Sequence, residues 1–140
     1  MTIGIAADHA GFAYKEMLKS YLIEKGFEVK DYGTNSPESS DYPDFAHPLS
    51  EAVSNGTVEK GVAVCGSGEG MCITANKHPK VRAALVWNEE VAALSREHND
   101  ANILCLPSRF IDTDTARKLV DIFFATAFEG GRHARRVNKI

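Results

Sequence analysis

The ten residues Gly61–Gly70, GVAVCGSGEG, decide the fold. Gly61–Cys65 reads as a short apolar strand. The turn Gly66-Ser67-Gly68-Glu69-Gly70 follows it and leads into a helix that stops before Pro79. Strand, turn and helix together make one crossover unit. The same alternation recurs on both sides. Thr2–Ala7 (TIGIAA) is a first strand. Tyr14, Met17, Leu18, Tyr21 and Leu22 then follow at helical spacing, and Gly26 closes that helix. Phe27–Tyr32 is a second strand, Gly33–Asp44 a polar loop, and Phe45–Asn55 a helix ended by Gly56. Val81–Val86 is a fourth strand. Asn88 caps a helix reaching about His98, and Asn102–Leu106 is a fifth strand. Ala116, Leu119, Val120, Phe123, Phe124 and Ala127 share one face of another helix, and the tail after Gly130-Gly131 reads as a helical turn or two.

Strands that alternate with helices run parallel, with right-handed crossovers that cover both faces. The expected fold is therefore a three-layer α/β/α sandwich, Rossmann-like, around a mainly parallel sheet of five strands. Strand order does not follow from this pattern. With 140 residues the chain is expected to form one domain, residues 128–140 being its tail.

Composition excludes several classes. Hydrophobic residues at 44% and charged residues at 25% are a globular balance, not a disordered one. A net charge of −3 argues against a nucleic-acid partner. The charge is uneven, though: Arg132, His133, Arg135, Arg136 and Lys139 crowd the last nine residues with no acid among them. An anion site therefore fits there. Cys65, Cys72 and Cys105 are odd in number and lack close pairing, which argues against a disulfide framework or a zinc site and suits a reducing compartment. No basic leader precedes the first strand and no apolar stretch approaches about 18 residues, so a cytosolic protein without a membrane partner is expected.

In open parallel sheets, ligands bind beyond the carboxyl ends of the strands. Asp8-His9, Cys65 with its glycine turn, and Ser108-Arg109 all fall there. Asp8 suits equally a helix cap and a ligand contact. Cys65 alone would read as a small buried hydrophobe. Beside the turn it reads differently. Three glycines at alternate positions let backbone N–H groups converge, and the positive end of a helix favours a thiolate and an oxyanion. Familiar motifs fail here. GSGEGM places its third glycine one residue early for a dinucleotide fingerprint, and no Lys-Ser/Thr follows for a P-loop. Met71 stands where a thiol phosphatase needs arginine. His98 shares a helical face with Val91 and Leu94, as a core histidine would. Against that, His98-Asn99-Asp100 is a polar cluster that is costly to bury without a role. Arg132 and Arg136 form either a solvated basic face or a phosphate clamp. His47, His78 and His133 read as structural or solvent-facing.

Taken in order along nearly the whole chain, several motifs resemble the ribose-5-phosphate isomerase B family, a group of ribose and galactose phosphate isomerases. They are Asp8-His9-Ala10-Gly11, Asp41-Tyr42-Pro43-Asp44, Cys65-Gly66-Ser67-Gly68, Ala75-Asn76-Lys77, Ser95–Asp100 (SREHND) and Glu129–His133 (EGGRH). The resemblance implies interconversion of D-ribose 5-phosphate and D-ribulose 5-phosphate, with no metal and no cofactor. It implies that Cys65 is the base moving a proton between C2 and C1, and that His98 helps open the furanose ring. Gly66, Ser67, Gly68, Glu69 and Gly70 would stabilise a cis-enediolate. Asp8 would contact the reacting hydroxyls, Asn99 a sugar oxygen or the intermediate, and His9, Arg132, Arg136 and Arg109 the phosphate. Tyr42 would line the pocket. One branch of the family uses a glutamate at the position of Met71; the presence of Cys65 places this chain in the other branch.

His98 ends a helix antiparallel to the strands and so belongs at the sheet edge opposite Cys65. One site can use both only across two subunits, so a homodimer with shared sites is expected, with a tetramer left open. Rival readings are an isomerase of allose 6-phosphate or galactose 6-phosphate, a non-catalytic sugar-phosphate-binding module, and a phosphatase that Met71 already disfavours.

Overall fold

In the computed structural model, which describes all 140 residues, the strands are β1 (Thr2–Ala7), β2 (Glu28–Asp31), β3 (Lys60–Cys65), β4 (Ala83–Leu85) and β5 (Ile103–Pro107). The helices are α1 (Phe12–Glu24), α2 (Pro43–Ser54), α3 (Glu69–Ala75), α4 (Glu89–Glu97), α5 (Thr113–Ala125) and α6 (Arg132–Val137). The strands form one sheet in the order β2-β1-β3-β5-β4, every neighbouring pair parallel.

Alternation along the strands explains why three of them are apolar throughout. Ile3, Ile5, Val62, Val64, Leu104 and Leu106 face one way, onto Leu18 and Leu22 of α1, Ala92 of α4, and Leu119 and Phe123 of α5. Ala6, Ala63, Cys65, Ile103 and Cys105 face the other way, onto Ala46, Leu49 and Val53 of α2 and Met71 and Ala75 of α3. The sheet is thus buried on both sides, and the three-layer α/β/α sandwich is the observed architecture. Each fully buried Leu, Ile or Phe contributes roughly 1.5–3 kcal/mol by leaving water.

The strand order places the ligand crevice. From β1 the chain steps to β2 on one side and then returns to β3 on the other. Between the carboxyl ends of β1 and β3 no connection covers the sheet, so a cleft opens there.

Several elements are shorter than their sequence pattern suggests, β2 (Glu28–Asp31) among them. Helix α3 ends at Ala75 instead of continuing towards Pro79, and β4 occupies only Ala83–Leu85 of the apolar run Val81–Val86. Asn76 lies at the junction of the two. Its backbone is the C-cap of α3, and its side-chain amide turns to β4, donating from Nδ2 to the Ala83 carbonyl (2.9 Å) and accepting from the Ala83 N–H (2.8 Å). Just before β4, the Asn102 side chain accepts from the Arg82 N–H (2.8 Å) and donates to the Lys80 carbonyl (2.8 Å), replacing ladder bonds there.

Candidate active site

A cleft of about 490 Å³ opens beyond the ends of β1 and β3, lined by Asp8, His9, Ala10, Tyr42, Cys65, Gly66, Ser67, Gly70, Arg109 and Phe110. Its size suits a small molecule. Cys65 is the last residue of β3 and only 4% exposed, so its thiol is reached from the cleft alone.

Asp8 shapes the turn before α1 but does not cap the helix itself, whose N-cap is Gly11. One carboxylate oxygen, Oδ1, accepts from the N–H groups of Ala10 (2.9 Å) and Gly11 (3.1 Å) and shapes the turn into α1. The other oxygen has no partner in the chain. Asp8 Oδ2 is not sealed from solvent and lies on the cleft wall, so it opens to the cleft.

His9 is tied to a residue far away in sequence. Its N–H donates to Ser40 Oγ (3.2 Å), and its Nδ1 accepts from the Ser40 N–H (3.1 Å). Arg109 lies with its guanidinium against Gly66, 3.0 Å from where a Cβ would stand, and pairs with no acid, which leaves it free for an anion.

The glycine turn is built differently from the simple convergence expected of alternate glycines. Only Gly68 is left-handed, at φ 74°, and there a Cβ would meet Leu85 at 2.5 Å. Gly70 is required because the Tyr42 ring lies on its α-carbon; a Cβ would stand 2.7 Å from that ring. Helix α3 is seven residues long, so its dipole is weak. The stronger feature is that the N–H groups of Gly66, Ser67, Gly68 and Gly70 donate to nothing in the chain, while Ser67 Oγ takes the Glu69 N–H (3.3 Å). These are unspent donors beside a thiol, the arrangement an oxyanion needs. Glu69 faces a neighbouring apolar hollow with Leu85, Trp87 and Phe110, and Gly68 is buried under the turn. Met71 is wholly buried in the core.

The remaining candidates are elsewhere. His98 is the C-cap of α4, beyond the start of β5. The length of the sheet, roughly 15 Å, separates that edge from Cys65. Arg132 and Arg136 lie at this far edge too, apart from His9 within one chain. The tail folds back onto α4, with the Glu129 N–H donating to the Glu97 carbonyl (3.1 Å), and α6 starts from there. Asn99 borders a separate hollow with Asn76, Arg82 and Ile140.

His133, expected to be structural or solvent-facing, is 5% exposed and stacks on His98, ring centroids 4.1 Å apart and planes 12° apart. Burial first, then the charge of Arg132 and the nearness of His98, hold its pKa below the ordinary imidazole range. The ligating atoms of His98, Glu129 and His133 lie within 4.8 Å of one another. With Arg132 and Arg136 beside them, that corner favours an anion over a cation. Burial and docking of the tail distinguish His133, and its one sequence signal was its place in EGGRH.

The polar cluster at the end of α4 divides by role. Arg96 is buried and donates to Asp100 Oδ1 (2.8 Å), to the Ala101 carbonyl (2.6 Å) and to the Thr126 carbonyl (3.2 Å). Asp100, at φ 46°, also accepts from Arg82 (3.2 Å). These residues build the turn, and His98 and Asn99 are what the turn presents.

A parallel α/β sheet with a buried thiol, free N–H donors and an unpaired arginine at its switch point defines an enzyme for a small anionic substrate. The chain belongs to the Ribose/Galactose Isomerase family, whose model matches residues 3–140. It is 41% identical over 138 residues to the ribose-5-phosphate isomerase B of Escherichia coli, covering 99% of this chain and 93% of that protein. Among solved structures it superposes on ribose-5-phosphate isomerase B of Clostridium thermocellum with a TM-score of 0.98, at 47% identity, over 99% of this chain and 94% of that one. A Mycoplasma genitalium ribose-5-phosphate isomerase B, solved with bound ribulose-5-phosphate, gives a TM-score of 0.96 at 44% identity, over 99% of this chain and 92% of that one. The chain is accordingly an isomerase.

Proposed function

We propose that the protein interconverts D-ribose 5-phosphate and D-ribulose 5-phosphate, with Cys65 as the base. The observation that carries this reading is the cleft, where a thiol, a carboxylate oxygen of Asp8, unspent N–H donors and Arg109 meet. In the aldose-to-ketose direction the Cys65 thiolate takes the proton from C2. The electron pair of that C–H bond becomes the C1–C2 double bond of a cis-enediolate, and the charge moves onto O1. The N–H groups of Ser67 and Gly70, both on the cleft wall, stabilise that oxygen. The thiol then returns its proton to C1. The remaining hydroxyl proton passes from O2 to O1, a transfer this reading assigns to Asp8 Oδ2, which opens to the cleft. His9 and Arg109 hold the phosphate, whose binding energy positions the reacting carbons.

Ring opening falls to His98, and within one chain His98 cannot reach Cys65. We infer a homodimer in which His98, Asn99, Arg132 and Arg136 of one copy complete the cleft of the other. Supporting this, Ile73 (65% exposed), Trp87 (53%) and Phe110 (75%) offer apolar surface around the cleft side of the molecule. Regarding membranes, no helix is long and apolar enough to cross one.

The deciding experiment is an isomerase assay on ribose 5-phosphate beside allose 6-phosphate, for wild type and Cys65→Ala. Preference for the pentose, with a loss of at least roughly 10³-fold in the variant, is the expected outcome. Substantial activity in Cys65→Ala would remove the thiol as base. Preference for a hexose phosphate would keep the mechanism and change the substrate, an outcome in keeping with a family whose description includes galactose isomerases.

A further inference from the structure

We infer that Ser40 is a positioning residue that fixes which nitrogen of His9 faces the substrate. This rests on the reading of the cleft as a sugar-phosphate site. Ser40 and His9 lie 31 residues apart and are joined by a reciprocal pair of hydrogen bonds, from the His9 N–H to Ser40 Oγ (3.2 Å) and from the Ser40 N–H to His9 Nδ1 (3.1 Å). A backbone N–H can donate only to a ring nitrogen that carries no proton. The neutral imidazole must then hold its proton on Nε2. With Nδ1 engaged by the loop, Nε2–H is the polar group that His9 offers to the cleft it lines. That group is a donor, which suits a phosphate or hydroxyl oxygen of the substrate; the opposite tautomer would present a lone pair to an anion and repel it.

The loop that carries Ser40 is pinned at both ends, which makes it able to impose this choice. At its root the Ala7 N–H donates to the Gly33 carbonyl (2.8 Å), the Thr34 N–H to the Ala7 carbonyl (2.7 Å), and the Gly33 N–H to Asp31 Oδ1 (2.9 Å). Asp31 is itself held by the fully buried Lys15 (2.6 Å). At its far end Tyr42 lies on the α-carbon of Gly70. Ser40 sits between these anchors. The loop is therefore a wall of the cleft whose backbone sets the polarity of a side chain on β1's end.

The test combines a spectroscopic and a kinetic readout. Histidine ¹⁵N spectra of the wild type should show His9 in the Nε2–H form. Ser40→Pro removes the N–H and should give a mixture of tautomers. Ser40→Ala keeps the N–H and loses the hydroxyl that holds His9, so it should show a smaller change in the same direction. Ser40→Thr should restore the wild-type signal. In the isomerase assay KM should rise by roughly 5- to 10-fold in Ser40→Pro and Ser40→Ala, one hydrogen bond's worth, with kcat within about twofold. If Ser40→Pro does not fold, Ser40→Ala carries the test alone. A wild-type His9 protonated on Nδ1 would overturn the inference. So would Ser40→Ala with unchanged KM and tautomer. The tautomer readout does not depend on which sugar phosphate is the substrate, so failure of the substrate reading and failure of this inference are separable.

Discussion

Asp8 holds a turn with one oxygen and opens the other to the cleft, and two variants separate the two. Asp8→Asn keeps an oxygen at the Oδ1 position and loses the charge at Oδ2. Unfolding free energy should change by less than about 1 kcal/mol, while isomerase activity falls by roughly 10²-fold. Asp8→Ala removes the acceptor for two turn N–H groups and should cost about 1–3 kcal/mol as well as activity. Thermal unfolding and turnover measured on both variants check this; equal stability loss in the two would mean that Oδ1 does not shape the turn. Residue types alone drew attention to Asp8, His9 and Cys65, because an acid, a histidine and a thiol after strand ends stand where parallel sheets bind ligands. His133 carried no comparable signal. It matters because the tail docks against α4 and buries it on His98, and docking is a tertiary event that local spacing does not encode.

Among the elements, the short turn after α4 has the clearest energetic assignment. Arg96 joins α4, the turn and the end of α5 through three acceptors. Arg96→Ala should destabilise the fold by about 2 kcal/mol, a figure kept low because the Asp100 side chain is 37% exposed. Chemical denaturation reads this directly. Arg96→Lys keeps the charge but cannot serve three acceptors, so it should fall between alanine and wild type; a lysine variant as unstable as the alanine one would mean that charge contributes nothing. Element identity was legible because β1, β3 and β5 are apolar on both faces and the helices carry a 3.6-residue stripe. Element ends were less so. Val81 and Val86 are as apolar as β4 itself, yet ahead of the strand the Asn102 side chain takes the Arg82 N–H and the Lys80 carbonyl, a contact from another segment that local pattern does not encode.

At the scale of the whole molecule, strand order was hidden for a physical reason. Period-2 burial says which way a side chain points and nothing about which strand lies beside it. Helix direction is more informative: a helix antiparallel to the strands puts His98 at the sheet edge opposite Cys65. If the cleft is completed by a second copy, Cys65→Ala and His98→Ala should each be inactive alone. Mixed and allowed to exchange subunits, they should recover about a quarter of wild-type activity, since half the dimers are mixed and each holds one intact site. No recovery, with exchange verified by mass, would place both residues of a working site in one chain.

The Asn76 amide has a consequence for solubility. A parallel sheet ends in two open margins, each a template on which another chain can add a strand. At β4 that margin is occupied by the side chain of Asn76, which spends the outward N–H and carbonyl of Ala83. At β2 the sequence EVKD puts charge along the opposite margin. Copies of this protein are thereby discouraged from joining margin to margin into a growing ribbon. Their contacts are left to side chains, which can select one partner in one orientation and stop.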